Sequence, residues 1–511
     1  MGSFFQSFNN LAKKIFKKNQ PDLSNSGIPE KQEKPPNKTA KENIKRKRNF
    51  IIGIDFGTNS TKVIYQIDGL PSKNAFVFCF NEEIDGTPYC AIPSAVSIYE
   101  GRVYFGKKAI QLRQNKSLYF SSFKMCLGCF FKITKCKKCD VLGFSRFRYG
   151  EIDITDLGIK LTAPIISAFY LAYIMNTIKQ TIFKKYGTKF EPQYYFNVSM
   201  PLNFLEKAKD EFINIIYIAE KMSSFIMQGI ELKFIYEEYK RNSSEVDDLK
   251  KKNNCFIVEE TRAAMKSVIS AGYYETGKYG VIDIGASTTD ISIFHFGGAD
   301  EIEKKFFYYA DKCYLIGGDD FDLEILNNLK IGTQVTAQNI YAIRLAKEQL
   351  LVKNKFVLNE HEINYDIEKI LEICKPLFDR IHNNFSETIR LYAFEKEPVL
   401  SRWKQINIIF IGGGSQWPYL REKFKEPPFY GDFNDWNPNF AEINFPDNIN
   451  LEESDVNPYK IKQYFLYYYV AHGLSYPIFD IYEAVYSESV PPLRRVEIQI
   501  ERTDRDELYP K

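Results

Sequence analysis

A two-lobed α/β fold is expected from three features of the sequence. The chain has 511 residues, more than one ordinary compact domain holds. An eight-residue pattern recurs at a constant offset of 228 residues, as Ile54-Asp55-Phe56-Gly57-Thr58-Asn59-Ser60-Thr61 and as Ile282-Asp283-Ile284-Gly285-Ala286-Ser287-Thr288-Thr289. A further turn, Gly412-Gly413-Gly414-Ser415, follows the strand-like run Asn407–Ile411. Each copy of the repeated pattern reads as an apolar strand ending in Asp, a tight turn of Gly and small hydroxyl residues, and a second strand (Val63–Gln66 and Ile291–Phe296). Two such hairpins imply two related lobes facing each other.

Hydrophobic residues make up 44% and charged residues 26%, ordinary globular values that exclude collagen-like, mucin-like and wholly disordered classes. With 42 Phe and 34 Tyr, a large core can be filled. The net charge of +3 conceals an asymmetry. Residues 1–50 hold 12 Lys and Arg against 4 Asp and Glu, and the remainder holds 56 against 61. The basic charge therefore lies in an N-terminal arm and the body is mildly acidic, so nucleic acid is not an expected partner.

Along the chain, residues 1–20 read as a basic amphipathic helix. Phe4, Phe8, Leu11 and Ile15 fall on one face, and Lys13, Lys14, Lys17 and Lys18 lie largely away from it. Such a helix suits an anionic membrane surface, with docking on a protein partner as the alternative. Myristoylation at Gly2 is not expected, because Gln6 stands where Ser or Thr is wanted. Residues 21–48, rich in Pro, Asn, Ser and Lys, read as a disordered linker. No continuous apolar export segment opens the sequence, which predicts a cytoplasmic protein, membrane-associated if the arm binds lipid. Leu161–Ile178 runs 18 residues without a charge, the lower limit for spanning a bilayer, but Pro164, Ser167, Asn176 and Thr177 favour a buried helix. Residues 422–460, full of Pro, Asn and Asp, read as a long surface loop, and 486–511 as a charged tail with a short strand at Val496–Ile500.

Cys126, Cys129, Cys136 and Cys139 form C-x2-C-x6-C-x2-C, two pairs of thiolates able to close a tetrahedron around Zn²⁺. Four lysines among them would offset the charge of such a centre. A structural zinc is expected, with an iron–sulfur cluster as second choice. Cys79, Cys90, Cys255, Cys313 and Cys374 read as core residues.

The turns carry the chemistry. A turn of Gly, Thr, Asn and Ser offers backbone N–H groups to phosphate oxygens. The preceding Asp repels phosphate but can hold hydrated Mg²⁺ or orient water. Two facing hairpins would grip a triphosphate from both sides. Three glycines after a buried strand let the backbone approach a flat ligand closely.

In this order, the residues resemble the ATPase domain of the 70-kDa heat-shock (DnaK-type) chaperones, within the actin-like ATPase superfamily. Ile52–Asn59 looks like the first phosphate loop, Val281–Asp290 like the second, and Gly412–Pro418 like the adenosine loop. Ile257–Ala264 is similar to the connecting segment, and Ile316-Gly317-Gly318-Asp319-Asp320-Phe321-Asp322 to a segment that separates these chaperones from actins and sugar kinases. Ile92-Pro93-Ser94 and Val470–Ser475 also fit, and the resemblance spans about residues 50–480. It implies duplicated ribonuclease-H-like domains: lobe I at 49–262 with a cysteine-rich insertion at about 125–145, lobe II at 263–400, and a return to lobe I at 401–485. It implies Mg²⁺-dependent hydrolysis of ATP to ADP, coupled to lobe closure and passed to protein partners the sequence does not identify.

By the same resemblance, Asp55 and Asp283 would hold the Mg²⁺ water shell. Gly57, Thr58 and Asn59, with Gly285, Ala286, Ser287 and Thr288, would cradle the phosphates. Glu259 and Asp290 would orient the attacking water, Glu260 being an alternative carboxylate. Lys124 would neutralise charge on the transferred group, Lys347 would contact ribose, and Gly317, Gly318, Gly412, Gly413 and Gly414 would complete the ligand site. The sequence departs from the family at Ala286-Ser287, where glycines are usual, at Arg344 and Glu348 in the adenine-contacting helix, and at Gln416. About 30 residues follow Ser475 and its helix, too few for the peptide-binding sandwich of a full chaperone. Two alternatives stand: a membrane-anchored actin-like filament protein, and a nucleotide sensor with little turnover.

Overall fold

A computed structural model describes residues 46–483, except 71–73, 83–87, 114–116, 133–150, 272–276, 297–305, 330–341, 348–349, 351–366, 397–404, 429–435 and 453–455. The expected N-terminal helix, most of the linker, the charged tail, Cys136 and Cys139, and Glu348 lie outside the described residues.

The described chain is mixed α/β and is built on two five-strand arrays with the same plan. In the first, β1 (Arg46–Asp55) pairs antiparallel with β2 (Ser60–Ile67), and β2 antiparallel with β3 (Ala75–Val77). On its other side β1 runs parallel to β4 (Phe190–Met200), and β4 parallel to β5 (Cys255–Glu259). In the second, β6 (Gly277–Ile284) pairs antiparallel with β7 (Thr289–Phe296), and β7 antiparallel with β8 (Phe306–Tyr314). On its other side β6 runs parallel to β9 (Asn407–Ile411), and β9 parallel to β10 (Asn439–Phe440). The repeated motif is therefore the signature of a repeated sheet. Its register is shared too: Asp55 faces Lys62 across the first hairpin, and Asp283 faces Asp290 across the second.

β1 and β6 are central strands, which explains their unbroken apolar runs Phe50-Ile51-Ile52 and Val281-Ile282. The first strand starts at Arg46, inside the stretch whose composition reads as linker, because residues 46–48 continue the parallel ladder with Phe190–Pro192. The described residues of 422–460 are less irregular than expected. Asn439–Phe440 adds an edge strand beside β9, and Trp436 Nε1 donates to the Phe424 carbonyl at 3.0 Å.

The uncharged run at 161–178 ends a short strand (Ile159–Thr162) and then folds as α2 (Ala163–Tyr186), with Pro164 in the first turn, where its missing N–H costs nothing. It packs in a core with β1, α1 (Phe123–Phe130) and α3 (Leu202–Met222), all introduced by their apolar faces. No described helix is long and apolar enough to cross a membrane. A second core lies among β6, β7, α5 (Gly318–Asn328) and α6 (Ile367–Lys396). A third joins residues of both sheets, such as Ile64, Val77, Val281 and Ile409, through α4 (Glu260–Ser270) and α7 (Tyr469–Leu474). The approach of α7 to α4 is set by Gly473: a Cβ there would lie 1.6 Å from the Ala263 carbonyl oxygen.

Two cysteines read as separate core thiols are instead bonded to each other. Cys79 and Cys90 form a disulfide with Cα atoms 4.2 Å apart. The chain returns beside the end of β3, where the Phe80 N–H donates to the Cys90 carbonyl, and this brings the two side chains together.

Candidate functional site

The two hairpin turns and the Gly412–Gly414 turn line one cavity of about 320 Å³. Asp55, Gly57, Thr58 and Asn59 come from the first hairpin, and Asp283, Gly285, Ala286, Thr288 and Asp290 from the second. Lys124 enters from α1, Gly318 from the start of α5, and Lys347 from the helical segment 342–347. Three expected residues do not line it: Glu259, Ser287 and Gly317.

Each turn is fixed from behind. The Ser94 hydroxyl donates to the Gly57 carbonyl at 2.7 Å, and the Ser94 N–H to the Asn59 carbonyl at 2.9 Å. In the second turn, the Gly318 and Asp319 N–H groups donate to the Gly285 and Ala286 carbonyls at 2.9 and 2.6 Å. The Ser287 hydroxyl is captured by the Asp319 carboxylate and so is turned away from the cavity. Gly317 lies behind the same turn. The first residues of α5 thus brace the second turn and spend donors on it that would otherwise suit an anion.

On the cavity wall the carboxylates Asp55, Glu260, Asp283 and Asp290 meet the ammonium groups of Lys62 and Lys124, while the third lining ammonium, Lys347, is held by Asp322. Glu260 forms a buried ion pair with Lys124. Glu259 instead pairs with Arg262 Nε at 3.1 Å and accepts from the Tyr482 hydroxyl at 3.5 Å. The reason is local: Glu259 ends β5 and Glu260 begins α4, so adjacent side chains leave in different directions. Of the two carboxylates the sequence offers, Glu260 is therefore the cavity residue. The Ser199 hydroxyl on β4 lies 3.3 Å from both Asp55 Oδ1 and Glu260 Oε1 and receives the Phe56 N–H at 3.0 Å. Ser199 belongs to no motif, and only the parallel pairing of β4 with β1 brings it here. Lys62 Nζ lies 3.2 Å from Asp55 Oδ2.

Protonation follows this balance. Burial, then the negative charges of Glu260 and Asp55, push the Asp283 carboxyl up to about 7 against the pull of Lys62 and Lys124. Burial, Glu260 and Asp283 push Asp290 well above the ordinary carboxylate range, and its Oδ1 has no hydrogen-bond partner among the described residues. Burial lowers the Lys124 ammonium, but Glu260 and Asp55 outweigh it and leave it above the usual lysine value. The cavity thus holds carboxylates short of compensating charge. Among the described residues, no group of three or more His, Cys, Asp or Glu side chains is placed to hold a metal ion directly. The donors instead suit a hydrated divalent cation, reached through water, with Asp283 and Asp290 as the under-compensated pair.

The departures at 344 and 416 take defined places. Arg344 donates to Asp319 Oδ1 at 2.8 Å, Asp322 Oδ2 at 3.1 Å and Asn59 Oδ1 at 2.6 Å. One guanidinium therefore links the first hairpin to α5. Lys347 pairs with Asp322 at 2.5 Å and donates to the Gly318 carbonyl at 2.9 Å. Gln416 lines the cavity beside Tyr464 and Tyr467, an aromatic wall hidden in a tyrosine-rich stretch without a motif. Gly412 is obligatory: its φ is +80°, and a Cβ would lie 2.3 Å from Asp283 Oδ1.

Cys126 and Cys129 lie three residues apart on α1, hence on one side of it, with Cys126 buried in the first core and Cys129 half-buried. Their expected partners are the two cysteines outside the described residues. The chain matches no protein-family model and no curated protein sequence.

Proposed function

We propose that residues 46–483 form a nucleotide-binding ATPase body of the heat-shock-70 type, with two actin-like lobes gripping Mg·ATP between the hairpin turns. The observation that carries this reading is the paired plan. Two sheets that share the order and direction of five strands each present an Asp-initiated turn containing one glycine to one cavity. A glycine turn and an aromatic wall adjoin the phosphate end, where a nucleoside would lie.

The turn amides of Gly57–Asn59 and Gly285–Thr288 would hold the β- and γ-phosphates, and Asp55 and Asp283 the water shell of Mg²⁺. When bound, that cation neutralises phosphate charge in the transition state. Lys124 supplies a second positive charge, oriented by Glu260. Asp290, whose Oδ1 has no hydrogen-bond partner among the described residues, is in its ionised form the group suited to orient attacking water and take its proton. The products are ADP and phosphate. A nucleotide sensor with little turnover is the second reading, favoured because Lys124 is already engaged by Glu260 and must be released to serve a phosphoryl group. We also propose a structural zinc at Cys126, Cys129, Cys136 and Cys139.

Calorimetric titration of ATP with Mg²⁺, beside a steady-state phosphate-release assay, tests the reading. Asp283→Ala should weaken Mg·ATP binding or lower turnover by two to three decades, about 3–4 kcal/mol. Unchanged binding and hydrolysis in that variant would refute the site.

A further inference from the structure

Lys62 has no counterpart in the second hairpin. The residue 228 positions later, in the same register opposite the turn's Asp, is Asp290. One hairpin therefore sets a base against its acid, and the other sets acid against acid. Lys62 Nζ lies 3.2 Å from Asp55 Oδ2, in a side chain only 13% exposed. It also lies against the first turn, 3.2 Å from where a Cβ on Gly57 would sit. An ammonium has three donors, and one directed to Asp55 leaves others for an anion seated on that turn. Lys124 is committed to Glu260, so Lys62 is the ammonium placed beside the phosphate-binding backbone.

We propose that Lys62 is a built-in cation of the first phosphate turn, binding ligand phosphate directly and sparing part of the divalent metal that Asp55 would otherwise recruit. The inference rests on the nucleotide reading above and deepens it. An aspartate already paired with a tethered ammonium has less charge left for a hydrated metal, so Asp283 would carry more of the metal's water shell than Asp55. Phosphate binding then has two supports: a fixed one from the chain on the first turn, and a metal-dependent one on the second. The competing account is a purely structural ion pair, with Lys62 serving only to make Asp55 tolerable inside the protein.

The test is ATP affinity of the full chain by calorimetry, in Mg²⁺ and in EDTA, for wild type, Lys62→Met and Lys62→Arg. Wild type should lose about tenfold or less when Mg²⁺ is removed, Lys62→Met about a hundredfold or more, and Lys62→Arg should behave like wild type. An equal loss in Lys62→Met and wild type makes Lys62 structural and overturns the proposal. So does a wild-type loss beyond about a thousandfold, a readout that holds even if Lys62→Met fails to fold. No ATP binding by wild type in either condition would instead overturn the nucleotide reading, and the assignment of Lys62 with it.

Discussion

Asp283 shows how one residue couples the site to stability. Its carboxyl ordinarily titrates near 3.8, and in the folded chain near 7. The native state thus holds the proton more tightly than the unfolded one. The destabilisation from burying its charge is absent below the lower value, grows as pH rises between the two, and is complete above about 7. Asp283→Asn removes that charge while keeping the shape. Without nucleotide, the variant should melt about 2–4 °C above wild type at pH 8 and lose most of this advantage by pH 4.5, near the lower of the two values. Equal melting temperatures at pH 8 would mean that the cavity charges are compensated in some other way. The same substitution should weaken Mg·ATP binding, because the buried charge that destabilises the fold is the one that would recruit a cation.

At the scale of elements, α1 joins two features the sequence presents separately. Lys124 occupies its first turn, and Cys126 and Cys129 follow within the same eight residues. A metal fastened to those thiols would hold the helix that aims Lys124. Purified protein should therefore carry about one zinc per chain. Stripping it with a strong chelator should slow turnover about tenfold or more while ATP still binds through the turns. Protein with neither zinc nor iron, or a stripped form with full turnover, would uncouple the two features. This element also shows what could be read in advance. The hairpins were legible because strand, Asp and glycine turn are consecutive residues repeated at one offset. Which of Glu259 and Glu260 enters the cavity was not, since it depends on where β5 gives way to α4. Ser199, the Cys79–Cys90 bond and the span of Arg344 from Asn59 to α5 were hidden for a related reason. Ser199 and Arg344 meet partners distant in sequence that only the folded sheets bring near, and the two cysteines meet through a local return of the chain beside β3 that no motif marks.

Across the whole molecule, the equivalence of the two sheets matters more than any one residue. The core shared by Ile64, Val77, Val281 and Ile409 ties the two sheets through α4 and α7. Beyond that core the turns reach the cavity from separate sheets, and Arg344 bridges them by holding Asn59 as well as Asp319 and Asp322. A ligand gripped by both turns gains contacts from each only while the two stay at the spacing that fits it. It must therefore favour one arrangement of the sheets by its difference in affinity for the alternatives. Amide hydrogen exchange measures this directly. Mg·ATP should slow exchange at 57–60 and 285–288 together, and Asp283→Ala, which alters only the second turn, should reduce protection at both. If the first turn stays fully protected in that variant, or if wild type is protected at one turn alone, the phosphates are held from one side. The duplicated plan would then be an inheritance of the fold without a part in binding.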